Sequence, residues 1–103
     1  MKGKPLVFLK LSGNVNKRSL MEPMFKYVGN MHGNEVVSRQ VLLYLAEYLA
    51  SGYGRDGRIT RLLNTTEIFI LPTLNPDGYE LSQEGQCDNN RYIQPSNTFG
   101  IIV

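Results

Sequence analysis

The chain is poor in the residues that most often mark chemistry. Its 103 residues include one histidine, His32, one cysteine, Cys87, and no tryptophan. A single cysteine excludes an internal disulfide framework, and Cys87, in the polar stretch "EGQCDNNR", reads as an incidental thiol. No apolar run reaches the ~20 residues that a membrane-spanning helix needs. The start "MKGKPLVFLKLSGN" is basic and then apolar, but Lys10 interrupts the patch and no small-residue cleavage site follows, so no signal peptide is read there. Net charge is only +2 and the lysines and arginines are scattered, which removes the electrostatic case for nucleic acid or an anionic membrane. The pair Lys17-Arg18 reads as solvated loop. No glycine-rich loop has phosphate-binding spacing, and there is no internal repeat. Asn64-Thr65-Thr66 is a glycosylation sequon if the chain is secreted.

What is present is an ordinary globular composition, 42% hydrophobic and 19% charged, of a length that predicts one domain. Residues 5–11 ("PLVFLKL") predict a strand, followed by a polar loop over residues 12–23. Residues 24–28 ("MFKYV") predict a second, buried strand. Residues 35–50 predict the clearest helix, with Asn34 as N-cap, Glu35 in the first turn and Gly52 as the stop. Val37, Val41, Tyr44, Leu45 and Tyr48 form one apolar stripe at helical spacing. Leu42, Leu43, Ala46 and Leu49 carry apolar character well past that stripe, so the helix is expected to be buried on more than one side. Tyr44, Tyr48 and Tyr53 read as packing or rim residues. Residues 58–64 predict a short helix and residues 67–71 ("EIFIL") a third, covered strand. Residues 75–78 ("NPDG") form a strong turn signal, with Asp77 as a turn former rather than a metal ligand. After Gly85 the periodicity fades until "FGIIV", an apolar run at which the sequence stops. Strands alternating with helices predict an α/β sheet, with ligands gathered past the carboxyl ends of its strands.

His32 lies past one such end, in "FKYVGNMHGNE" (residues 25–35). Imidazole nitrogen and carboxylate oxygen are both zinc donors, and a spacing of three residues across a strand-to-helix turn lets His32 and Glu35 converge on one ion. Gly33 between them permits a tight bend. A bare His-x-x-Glu is a weak pattern, and a lone histidine is commonly just a loop or core residue.

The surrounding residues are more specific. "PMFKYVGNMHGNEVVSRQVLLYLAEYL" resembles the zinc-binding segment of the metallocarboxypeptidases, the M14 peptidase family, and in particular its regulatory branch. "LPTLNPDGYELSQEG" resembles the next block of that branch, and "KGKPLVFLKLS" the strand before the zinc segment, so the likeness covers residues 4–85. The resemblance implies that His32 and Glu35 are two of three protein ligands to Zn2+. It implies a zinc-activated water, an arginine that stabilises the oxyanion, an Asn-Arg pair for the substrate's terminal carboxylate, and a glutamate as general base. It implies substrates that are peptide or protein C-termini, with Lys or Arg removed, and work outside cells or in the secretory pathway. The fold it implies is α/β, a partial α/β/α sandwich with a mixed sheet, of which this chain supplies the N-terminal portion.

The sequence departs from that pattern after Gly85. It has no second histidine for the third ligand position and does not reach the general base. Where the branch carries its Asn-Arg-containing block, this chain reads "CDNNRYIQPSNTF". Asn90 and Arg91 are the candidates for the carboxylate clamp, and Arg91 for a catalytic arginine, because guanidinium binds carboxylate bidentately. The flanking residues differ, and a surface pair in a divergent tail over residues 86–103 is the competing reading. Three functions stay open: a zinc metallocarboxypeptidase whose 103 residues alone are inactive, a non-catalytic binding fragment, and a zinc acyl-amino-acid hydrolase of the same fold.

Overall fold

The computed structural model describes residues 3–83. Cys87, Asn90, Arg91 and the "FGIIV" run lie outside the described residues. The element order is β1 (Leu9–Leu11), β2 (Met24–Val28), α1 (Val37–Gly52), α2 (Gly57–Thr65), β3 (Glu67–Leu71) and α3 (Pro76–Leu81). The strands form one mixed sheet in the order β1-β3-β2. β1 is antiparallel to β3, with Leu9 opposite Ile70, and β2 is parallel to β3, with Met24 opposite Glu67. A parallel pair needs a crossover, and α1 and α2 supply it. The α/β class and the mixed sheet agree with the sequence.

The core lies on one face of the sheet. Ile68 and Ile70 alternate onto that face from β3 and pack with Leu42, Ala46 and Leu49 of α1 and Ile59 and Leu63 of α2. Leu11 and Leu45 pack against this cluster. On the opposite face Phe8 tilts against Phe69, ring centroids 6.1 Å apart.

Several expectations need correction. The first strand is only three residues, Leu9–Leu11, rather than seven. Extending the antiparallel register would place Val7 opposite Pro72, which has no N–H to donate, so the ladder ends. β2 has the expected bounds but is exposed along its length, not buried. Among the described residues it is an edge strand, and the helices make their main contacts with β1 and β3.

In α1 the expected stripe is the outer one. Val37, Val41, Tyr44 and Tyr48 are exposed, whereas Leu42, Ala46 and Leu49 are buried. A helix with apolar residues nearly all round offers two stripes to a periodicity argument, and packing on Ile68 and Ile70 selects the second. The helix also begins at Val37, and Asn34 is not its cap; Val36 holds that place with no side-chain cap bond. Gly52 is its last residue. A Cβ there would run into Ile59 Cδ1, so the missing side chain is what lets α2 fold back closely on α1.

α2 is one residue longer at each end than the expected 58–64. Asp56 caps it, its carboxylate accepting from Arg58 N–H at 2.7 Å and Ile59 N–H at 3.0 Å. Residues 75–78 open a helix rather than a simple turn. Asn75 Oδ1 accepts from Gly78 N–H at 2.9 Å, and Pro76 takes the first helical position, where its missing N–H costs nothing.

Candidate metal centre

The two strands that run parallel, β2 and β3, end side by side, and the loops that leave them stay joined. Gly29 N–H donates to Leu71 O at 2.9 Å, Leu74 N–H to Gly29 O at 3.0 Å, and Asn75 N–H to Asn30 O at 3.1 Å. His32 and Glu35 sit in the first of these loops, past the carboxyl end of β2, as the α/β rule leads one to expect.

The loop is shaped by Asn30. This residue is 1% exposed and has a φ of 51°, in the left-handed region that asparagine tolerates better than most residues. Its side-chain Nδ2 donates to His32 O at 2.8 Å, Gly33 O at 3.1 Å and Glu35 O at 3.2 Å. Its own N–H donates to Ser38 Oγ at 2.9 Å. Glu35 N–H closes a turn onto His32 O at 3.1 Å. These bonds hold residues 30–35 as a loop, and α1 begins only after it, at Val37.

His32 Nδ1 and Glu35 Oε2 lie 3.0 Å apart, with the His32 side chain 39% and the Glu35 side chain 61% exposed. Two donors bonded to one tetrahedral zinc stand roughly 3.3–3.5 Å apart. The pair would have to open by a few tenths of an ångström to reach that separation, and both side chains are partly exposed. Among the described residues no group of three histidine, cysteine, aspartate or glutamate side chains gathers at one point.

The neighbouring loop closes the site from below. Gly33 is buried against the backbone of Gly78, at the start of α3, with no room for a Cβ. Arg39 of α1 lies over the Tyr79 ring of α3, 4.0 Å from its centroid, and so ties the two helices together beside the loop. Asp77 does not join His32 and Glu35; its Oδ1 accepts from Lys4 N–H at 3.0 Å. The structure thus brings together two of the predicted site residues, His32 and Glu35, whereas Asn90 and Arg91 lie outside the described residues.

Sequence reasoning misses Asn30 and reads Asn75 only as part of a turn. The one signal for Asn30 is a Gly-Asn pair directly after a strand, where a left-handed residue is commonly needed.

A family profile described as zinc carboxypeptidase, Peptidase_M14, matches residues 1–101. The chain belongs to the zinc carboxypeptidase family. Carboxypeptidase D of Drosophila melanogaster is 46% identical over 102 residues, covering 98% of this chain and 7% of that protein. Carboxypeptidase D of Mus musculus is 65% identical over 66 residues, 63% of this chain and 5% of the relative. Carboxypeptidase Z of Mus musculus is 54% identical over 81 residues, 78% of this chain and 12% of the relative. The chain therefore spans 5% to 12% of the length of these relatives. No helix among the described residues is long and apolar enough to cross a membrane.

Proposed function

We propose that this zinc carboxypeptidase segment supplies His32 and Glu35 as two of the three protein ligands of a catalytic zinc, in an enzyme that removes C-terminal Lys or Arg from peptides and proteins. The observation that carries the reading is the 3.0 Å approach of His32 Nδ1 to Glu35 Oε2 on the loop past parallel strand β2. Zinc held there would polarise the scissile carbonyl and lower the pKa of an attacking water. To bind it, His32 gives up any proton on Nδ1, and Glu35 contributes an ionised oxygen. The exposed pair leaves a face open to a peptide end, and the Gly33–Gly78 contact fixes the loop's depth. Asn90 and Arg91 are the candidates for holding the substrate carboxylate. Work outside cells or in the secretory pathway fits a sequon whose Asn64 is exposed in the last turn of α2.

The resemblance implies a histidine as the third ligand, and these 103 residues hold only His32, so we place that ligand in a longer polypeptide. The isolated chain is accordingly expected to bind zinc weakly and not to turn over. The test is a zinc titration together with hydrolysis of a peptide ending in Arg and of an N-acyl amino acid. Both are run on the 103-residue chain and on a longer polypeptide that carries it. The longer form should cleave the Arg peptide, with loss of activity in Glu35→Ala; preference for the N-acyl amino acid would move the assignment to an acyl-amino-acid hydrolase. The single histidine also supports a second reading, a non-catalytic binding fragment, in which His32→Ala leaves partner binding intact.

A further inference from the structure

His32 and Glu35 sit in a segment with no helix or strand ladder to hold it, since regular structure ends at Val28 and resumes at Val37. Metal sites need donors preset by groups behind them. In this chain the group behind the donors is Asn30. Its carbonyl takes Asn75 N–H, its N–H goes to Ser38 Oγ, and its side-chain amide meets the carbonyls of His32, Gly33 and Glu35. Two of those carbonyls belong to the donor-bearing residues themselves, so a shift of the amide shifts both donors together.

The amide orientation follows from chemistry. Three acceptors lie within 3.2 Å of Nδ2, and exchanging the amide atoms would aim Oδ1 at three carbonyl oxygens. Among the described residues Oδ1 is buried without a hydrogen-bond partner, a cost on the acceptor side, while the donor side meets three carbonyls. The left-handed φ of 51° is part of the device, because it turns the chain so that one side chain can reach three successive parts of the same loop.

We propose that Asn30 is a positioning residue of the zinc site, its side-chain amide presetting the His32–Glu35 donor pair before metal binds. The inference rests on the zinc reading of His32 and Glu35. Asn30 touches neither metal nor substrate in this role; it acts only through the backbone of the loop.

The test uses the longer polypeptide that carries this chain, with Zn2+ and Co2+ themselves. Asn30→Gly keeps the left-handed backbone and deletes the amide. Asn30→Asp keeps the size and replaces the donor with an acceptor facing three carbonyls. Ser38→Ala removes the bond to the Asn30 N–H and the longer, 3.5 Å bond from Ser38 Oγ to Glu35 O, and leaves the Asn30 amide in place. Metal affinity is measured by titration, ligand geometry by the Co2+ absorption spectrum, and fold by the Tm of the metal-free protein. Both Asn30 variants should bind zinc about ten- to a hundredfold more weakly, Asp more than Gly, with an altered Co2+ spectrum. Ser38→Ala should keep the wild-type spectrum. Unchanged affinity and spectrum in Asn30→Gly overturn the proposal. So does a loss that Ser38→Ala reproduces with the same fall in Tm, because a loosened fold then accounts for it.

His32→Ala separates the two levels. If it binds zinc as well as the wild type, the zinc reading itself fails. If it loses binding while Asn30→Gly keeps it, only the positioning role fails. Should Asn30→Gly not fold, the metal-free wild-type chain decides. Slow exchange of the Asn30 side-chain N–H protons, unchanged on adding zinc, supports a preset loop; fast exchange that slows only with zinc overturns it.

Discussion

Gly33 and Gly78 meet backbone to backbone, and a Cβ added to Gly33 would fall on the Gly78 carbonyl. The loop bearing His32 and Glu35 can therefore lie directly on the start of α3. Gly33→Ala should force the two loops apart and destabilise the chain by about 1–3 kcal/mol. It should weaken metal binding as well, since the donor loop is what moves. Gly57 is the matched control. A Cβ there meets nothing, so Gly57→Ala should raise stability by about 0.4–1 kcal/mol through the unfolded state and leave metal binding alone. Denaturant unfolding and zinc titration of the two variants check this; equal stability changes would refute the contact argument.

Glu67 presents a different stake. Its side chain is 1% exposed at the start of β3, with Lys10 Nζ 2.6 Å from Oε1 and Arg18 Nε 3.6 Å from Oε2. Lys10 meets Oε1 at close range as an ion pair, in the buried start of β3. Lys10→Met leaves a buried carboxylate with only the more distant, exposed Arg18, and should cost about 3 kcal/mol. Adding Glu67→Gln should recover a large part of that loss by removing the charge. Urea unfolding of the single and double variants reads the difference, and an additive result would contradict the pairing.

Asp56 gives the fold a dependence on acid. Its carboxyl is held below the ordinary carboxylate value, first by the hydrogen bond from Ile59 N–H, then by that from Arg58 N–H, with the Arg58 charge adding a smaller share. Because the folded chain favours the ionised form, the cap contributes in full above the unfolded-state value. It is lost as pH falls through the lower folded-state value. At neutral pH the contribution is constant. Asp56→Asn keeps an acceptor and should flatten the acid limb of a Tm-against-pH curve, whereas Asp56→Ala should lower Tm at neutral pH as well. A wild-type acid limb in Asp56→Asn would assign the acid sensitivity to another carboxylate.

Much of this architecture is legible in the amino-acid sequence alone. The bounds of β2 and β3 follow from short apolar runs between turn residues, and the His32–Glu35 pair from zinc chemistry and family resemblance. The losses have physical causes. The short β1 depends on Pro72, a residue just past the strand that pairs with it only in three dimensions. The buried face of α1 depends on where Ile68 and Ile70 lie, because the helix is apolar on both candidate faces. The start of α1 is misplaced by capping rules because they describe a helix in isolation, whereas Asn30 takes the carbonyls of residues 32, 33 and 35 for the loop. A buried asparagine with a left-handed φ leaves only a faint trace in a sequence, and its role becomes visible only through its partners.

The strand order β1-β3-β2 also sets a timetable for biosynthesis. Among the described residues both earlier strands pair with β3 alone, which is made last of the three. As the chain leaves the ribosome, the loop of His32 and Glu35 emerges long before Asn75, whose N–H anchors the Asn30 carbonyl. Until that long-range closure, which is slower than local contacts, the donor loop has no floor. A nascent chain paused ahead of Glu67 would carry both donors and yet offer an incoming ion no organised place to land.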